Sequence, residues 1–197
     1  MNALVVYCHP CPESFTAAVR DTVIETLNAR GHATSLIDLY AEQFDPVMSA
    51  NERRGYHDEG PNLLPVQAHI ERVQWAEGVL FVYPTWWYGL PAMLKGWLER
   101  VMVPGFAFGM PDERQGPRPM LRNIRHVAAL TTCGATPLVT WLMGQPGRRT
   151  LLRGFRSACH PMCRTRYLAL YKMDTVSAEK RRRHLHKVGR TVRSFMG

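Results

Sequence analysis

Apolar residues follow one another along this chain in two alternating rhythms: short unbroken runs, and longer stretches where they recur every third or fourth position. Residues 3–8, Ala-Leu-Val-Val-Tyr-Cys, are the first run, which reads as a buried strand and breaks at the turn His9-Pro-Cys-Pro. Behind Ser14, a good N-cap, Phe15, Val19, Val23 and Leu27 recur every fourth residue, and Gly31 stands where a C′ glycine belongs. That pattern predicts a helix. Residues 34–39 resemble a second strand, residues 44–65 are polar with little periodicity and mark an irregular excursion, and residues 66–76 read as helical. Gly-Val-Leu-Phe-Val-Tyr at 78–83 predicts a third strand that stops at Pro84. Leu90, Leu94, Trp97, Leu98 and Val101 share one helical face, which predicts a helix over 91–103 with Pro91 at an early position that needs no donor. Residues 104–119 are rich in Gly and Pro and form a loop carrying Phe106 and Phe108. A fourth strand at 126–132, helical material over 137–154 interrupted at 144–147, a fifth strand at 166–171 and a last helix over 177–196 complete the pattern.

Strand and helix alternate five times, and near-continuous apolar strands at this spacing imply a parallel sheet covered by helices on both faces, a doubly wound α/β domain. Ligands of such sheets bind outside the carboxyl ends of the strands, beside the point where strand order reverses. The loops to inspect are therefore residues 9–16, 84–89 and 131–135.

Composition agrees with a single domain over residues 1–197: 46% of residues are apolar and 21% charged. A chain of this length buries roughly 70% of its unfolded surface, enough for a core without staples. Disorder and a disulfide-dependent mini-protein are excluded. No apolar run reaches the roughly 20 residues needed to span a bilayer, and the start lacks a basic region followed by a long apolar one, so a cytoplasmic protein without membrane insertion is expected. Cys8, Cys11, Cys133, Cys159 and Cys163 are odd in number and fit free thiols in a reducing compartment. The net charge of +9 hides an asymmetry, since residues 1–99 carry 6 Lys/Arg against 12 Asp/Glu and residues 100–197 carry 19 against 4.

Three loops carry candidate chemistry. The first leads a strand into a helix whose free N–H groups and positive dipole end suit a phosphate, with Ser14, Thr16 and His9 as side-chain donors. It is neither a GxGxxG fingerprint nor a P-loop, and prolines at 10 and 12 remove two donors. In the second, Pro84-Thr-Trp-Trp-Tyr-Gly-Leu-Pro91, three consecutive aromatics cannot all point into the core, and adjacent Trp and Tyr rings suit a planar heteroaromatic group. The third, Leu130-Thr-Thr-Cys-Gly-Ala135, offers hydroxyls and close backbone approach. A phosphate cradle, an aromatic wall and a polar rim are what a flavin nucleotide needs.

At these residues the chain resembles the NAD(P)H:quinone oxidoreductases of DT-diaphorase type, in the flavodoxin-like superfamily. The resemblance is carried by His9-x-x-Pro-x-Ser14-Phe15, by Pro84-Thr-Trp-Trp-Tyr-Gly-Leu-Pro-Ala-Met-Leu-Lys-Gly-Trp-Leu-Glu-Arg100 running on to Gly105-Phe-Ala-Phe108, and by Thr131-Thr-Cys-Gly134, and it spans roughly residues 2–135. It implies a flavodoxin-like five-stranded parallel sheet of order 2-1-3-4-5 and an NAD(P)H-dependent enzyme with its active site at a homodimer interface. It also implies a flavin, FAD rather than FMN because the Ser14-Phe15 loop looks like the FAD-using branch. By position, His9, Ser14, Phe15 and Thr16 would hold phosphates. Pro84, Thr85, Trp86, Trp87 and Tyr88 would line the isoalloxazine, and Thr131, Thr132, Cys133 and Gly134 would touch its polar edge. Trp86, Phe106 and Phe108 would bound the substrate pocket, the two Phe over the partner's flavin. The implied reaction is ping-pong: NAD(P)H gives hydride to flavin N5, and a quinone or similar aromatic acceptor then takes it. The chain departs from the family in having Thr16 for Asn and Cys133 for Gly, and in having Pro137, Leu138 and Val139 where a Tyr would fall, so no side-chain acid is assigned.

Three rival readings compete. Cys8-His-Pro-Cys11 at a strand-to-helix junction resembles a thiol-disulfide oxidoreductase motif, although the helix starts at Ser14 rather than at the first cysteine. Cys8, Cys11, Cys159 and Cys163 would make a zinc site only if opposite ends of the sheet met, so no metal is expected. Lys180-Arg-Arg-Arg-His-Leu-His-Lys187 suggests binding of nucleic acid or a partner. Leu185, Val188, Val192 and Phe195 keep helical spacing, however, which makes the run the solvated face of an amphipathic helix and argues against nucleic acid.

Overall fold

In the computed structural model, which describes residues 1–110 and 118–197, the first apolar run is strand β1 (Asn2–Tyr7), buried from Ala3 onward. Its side chains alternate between two cores, Leu4 and Val6 on one face and Ala3, Val5 and Tyr7 on the other. A strand buried on both faces has no polar side to show, which is why the run is continuous. Helix α1 (Phe15–Ala29) starts where Ser14 accepts a hydrogen bond from the Ala17 N–H at 3.1 Å, and it ends at Gly31 with φ 74°. Strand β2 (Ala33–Asp38) follows one residue earlier than its pattern predicts.

The polar excursion holds a helix the periodicity does not show, α2 (Ala50–Arg54), closed by a reciprocal capping box between Ser49 and Glu52. A 3-10 turn (Pro61–Val66) leads into α3 (Gln67–Trp75). Strand β3 (Gly78–Thr85) runs past Pro84, contrary to expectation. The Val82 carbonyl accepts from Cys8 N–H, so residue 82 faces β1; residue 84 faces the same side, past the last rung with β1, where no ladder donor is lost. Helix α4 (Ala92–Val101) buries Leu94, Trp97 and Val101, and the short strands β4 (Phe108–Gly109) and β5 (Arg118–Pro119) pair antiparallel. Residues 111–117 of the expected 104–119 loop lie outside the described residues.

Strand β6 (His126–Cys133) is followed by α5 (Pro137–Leu142), a break at Gly144 and Gln145, α6 (Pro146–Arg149) and a π turn (Thr150–Phe155). Strand β7 (Arg164–Tyr171) and α7 (Ala178–Met196), N-capped by Ser177, end the chain. The sheet is parallel throughout in the order β2-β1-β3-β6-β7, the doubly wound order expected for five main strands. One core packs α1 and α7 on one face, through Val19, Val23, Val188, Val192 and Phe195; the other packs Ile70, Val73, Leu94 and Trp97 on the opposite face. Arg182, Arg183, His186 and Lys187 of the basic run are thus exposed on α7, whereas His184 turns inward. Because β1 pairs with β3 only as far as Tyr7↔Val82 while β3 and β6 stay paired to Thr85↔Cys133, the centre of the sheet ends in a step.

Candidate functional site

Above that step lies a cleft of about 370 Å³. His9, Ser14, Phe15 and Thr16 from the β1–α1 loop, Pro84, Thr85, Trp86 and Trp87 from the end of β3, and Thr132, Cys133 and Gly134 from the end of β6 all line it. Three segments far apart in sequence meet because their strands are neighbours.

The first wall is built for an anion. With Ser14 capping Ala17 N–H, the backbone N–H groups of Phe15 and Thr16 have no recorded acceptor among the described residues, and they stand at the positive end of a 15-residue helix. His9 Nδ1 accepts from Cys11 N–H at 3.0 Å, which leaves the proton on Nε2. Burial holds its pKa below the ordinary value of 6.5, with the Cys11 contact and Glu13 opposing, so near neutral pH the ring is an uncharged donor.

The second wall is a tight turn over residues 86–89, closed by Gly89 N–H to the Trp86 carbonyl at 2.9 Å. Its two central residues, Trp87 (φ 46°) and Tyr88 (φ 63°), both sit in the left-handed region that bulky residues avoid. Trp87 is 94% exposed and Trp86 42%, so two of the three aromatics do face outward. The Trp86 ring lies 5.9 Å from His9 and Trp87 lies 6.4 Å from Tyr88. Strain held at an exposed aromatic turn marks a surface kept for contact.

The floor is a threonine net. Thr16 Oγ1 meets Thr132 Oγ1 at 3.2 Å, and Thr85 Oγ1 meets Thr131 Oγ1 at 2.8 Å, tying the three loops together. Thr131 is buried beneath the cleft rather than lining it, and Tyr88 also lies outside the lining. Cys133 turns its Sγ to within 3.6 Å of Thr140 Oγ1, which takes the side chain that replaces the family's glycine toward α5. At Gly134 a Cβ would lie 2.6 Å from Asp174 Oδ2, so a side chain there would require Asp174 to move. Asp174 and Met173 complete the lining, with Met173 N–H bonded to the Cys133 carbonyl. Both follow the end of β7, where the strand-end rule points, but their sequence carries no motif.

Phe106 and Phe108 part company. A compact turn, with Ala107 N–H on the Val103 carbonyl and Gly105 N–H on the Phe108 carbonyl, sends the Phe106 ring into the core at 4% exposure. Phe108 points the other way, into a second cleft of about 410 Å³ bounded by Leu98, Met102 and Phe155. Against the dithiol reading, burial pushes Cys8 up to about 12, so it is no nucleophile of its own, and all five thiols are free. Among the described residues no cluster of His, Cys, Asp or Glu could hold a metal. Nor is any described helix long and apolar enough to cross a membrane.

Comparison with known proteins gives a consistent picture. The family described as having a flavodoxin-like fold matches residues 1–194. NAD(P)H dehydrogenase [quinone] 1 of Rattus norvegicus is 34% identical over 153 residues, 68% of this chain and 54% of that protein. Ribosyldihydronicotinamide dehydrogenase [quinone] of Mus musculus is 29% identical over 156 residues, 71% of this chain and 66% of that one. The chain thus spans between about half and two thirds of these relatives' length. The crystal structure of Smu.1420 from Streptococcus mutans UA159 superimposes with a TM-score of 0.85 at 30% identity, covering 98% of this chain and 100% of that one.

Proposed function

This chain belongs to the family with the flavodoxin-like fold, and on that premise we propose that it is a flavin-dependent NAD(P)H oxidoreductase whose acceptor is a quinone or a similar aromatic. The names of the rat and mouse relatives support the activity. The observation that carries the reading is the single cleft in which unpaired helix N–H groups, an exposed aromatic turn and a backbone rim converge.

The residues present fit a flavin. The N–H groups of Phe15 and Thr16, with the Ser14 hydroxyl and the neutral His9 Nε2–H, would hold its phosphate. Trp86 and Trp87 would flank the ring, and the backbone at Thr132–Gly134 would meet its polar edge. Bound there, a flavin would supply the redox chemistry between NAD(P)H and the acceptor. The chain contributes stacking, exclusion of water and dipoles aimed at developing negative charge. FAD is favoured over FMN by a further pocket of about 530 Å³ beside the cleft, where Lys172, Lys180, Arg183 and Lys187 offer positive charge for a second phosphate. A second copy of the chain completes the active site; exposed Trp87 and the apolar cleft under Phe108 support this. The protein works as one domain in the cytoplasm, a placement supported by its five unpaired thiols.

The test is a visible spectrum of protein incubated with FAD or FMN and desalted, before and after anaerobic NADPH or NADH. A retained flavin band that bleaches is the expected result. Retention of neither flavin overturns the proposal.

A further inference from the structure

A separate hollow of about 350 Å³ is formed by α5, α6 and the π turn together with Thr165 of β7. Arg148, Arg149, Arg153, Gln145, Thr165 and Trp141 line it, and no carboxylate does. Arg148 is fixed in place: its Nη1 donates to Gln145 Oε1 at 2.8 Å, and its guanidinium lies 4.9 Å from the centre of the Tyr167 ring. Among the described residues no ion pair is recorded for Arg148, Arg149 or Arg153. Like charges at i and i+4, as in Arg149 and Arg153, oppose helix formation. The backbone around them is irregular as well, with Gln145 at φ 50°, Gly144 at φ 78° and a π turn from Thr150, features that gather at binding sites. Three guanidiniums concentrated without an anion form a site for one, and Trp141, 67% exposed on the rim, adds a flat apolar face for a base.

The hollow is coupled to the cleft by short steps. Gly147 of α6 packs directly behind the aromatic turn, since a Cβ there would lie 3.2 Å from the Gly89 carbonyl carbon and from Leu90 Cδ2. Thr140, next to Trp141, touches Cys133 in the cleft floor. Along β7, Tyr167 beneath Arg148 lies four residues before Tyr171 at the strand's carboxyl end, about 13 Å at the rise of a strand.

We propose that this arginine hollow binds the 2′-phosphoadenosine end of NADPH, with Arg149 and Arg153 forking onto the 2′-phosphate and the adenine against Trp141, so that NADPH is preferred over NADH. The inference rests on the oxidoreductase reading and names its electron donor. A phosphate monoester dianion is the group that tells the two donors apart, and guanidinium forks match its geometry.

Binding and reduction are measured separately on the flavin-loaded protein. By calorimetry, 2′,5′-ADP binds about 10- to 100-fold tighter than 5′-AMP, the ratio that one or two charge-assisted hydrogen bonds give. Arg149→Gln/Arg153→Gln removes that ratio, while Arg193→Gln on the face of α7 leaves it. In anaerobic reduction the same double variant lowers the NADPH-to-NADH ratio of second-order rate constants by a like factor. Arg149→Lys, which keeps the charge, retains part of it and shows that the site still folds. Equal binding of 2′,5′-ADP and 5′-AMP overturns the inference, as does an unchanged ratio in the double variant or displacement of 2′,5′-ADP by an equal concentration of inorganic phosphate. Equal bleaching by NADH and NADPH overturns it while the oxidoreductase stands. Bleaching by neither overturns the oxidoreductase reading, and the calorimetric comparison then decides the hollow by itself.

Discussion

Replacing Trp87 by Asn should make the protein more stable and worse at holding flavin. Trp87 occupies the first central position of a turn at φ 46°, which costs an L-residue about 1–2 kcal/mol, whereas Asn tolerates that region through its short polar side chain. At 94% exposure the indole buries almost nothing in the free chain, and its one ring contact, Tyr88 at 6.4 Å, is worth about 0.5 kcal/mol at an exposed site. The balance is a gain of about 1 kcal/mol, which in a chain of this size raises Tm by about 2–4 °C. Stacking of a planar ring on one aromatic side chain contributes about 1–3 kcal/mol, so flavin should bind about 10- to 100-fold more weakly. Thermal unfolding of the flavin-free protein, followed by circular dichroism, gives the first quantity, and titration of flavin fluorescence gives the second. Trp87→Ala, which has no preference for left-handed backbone, should lose the flavin without the same gain in Tm. A fall in Tm for Trp87→Asn would refute the strained-turn argument, and undiminished flavin affinity would refute the aromatic wall.

Further tests separate roles that share a residue or a region. Ser14→Asp keeps the α1 cap and therefore the Tm, but sets a carboxylate beside the phosphate and should cut flavin retention; Ser14→Ala should lose about 1 kcal/mol of stability in urea melts. His184, buried against Phe15, has its pKa lowered to about 4 by burial and by Lys187, against 6.5 when unfolded. The unfolded chain therefore binds the extra proton first: stability is full above about pH 6.5, falls as pH drops toward 4 and is flat below, by at most about 3 kcal/mol. Urea midpoints of His184→Gln should fall less steeply across that window, and an identical slope would refute the assignment. A thiol reagent at pH 8 should modify one cysteine quickly, Cys11, and Cys11→Ser should abolish that phase; a second fast thiol at Cys8 would restore the dithiol reading.

The sequence reports the fold best where several local preferences agree. Around β1 and α1 the apolar run, the Ser14 cap and Gly31 all point the same way, and both elements fall close to where they are expected. Helix α2 has five residues and no buried face, so periodicity is blind to it; its capping box is the only trace it leaves. Pro84 misleads because a proline breaks a strand only when its missing donor faces a partner, which depends on where β1 stops. For the site, strand-end loops are legible because topology alone fixes where they meet. Left-handed backbone at Trp87 and Tyr88 is not legible, since both residues locally prefer something else and the surrounding turn overrules them. Phe106 and Phe108 have the same chemistry, and only the turn geometry sends one inward and the other out.

The strand order also converts a bias along the chain into a direction in space. Strands β2, β1 and β3 come from the half with 12 carboxylates and 6 cations, and β6 and β7 from the half with 19 cations and 4 carboxylates, so the two meet at the β3–β6 seam where the cleft opens. A separation of that kind gives the molecule an electric moment lying across its sheet. An anionic ligand arriving by diffusion meets a torque before it meets a side chain, and encounters are biased toward the basic flank. Its association rate will fall as salt shortens the Debye length from about 30 Å at 0.01 M to about 8 Å at 0.15 M, while dissociation, governed by contacts already made, changes little.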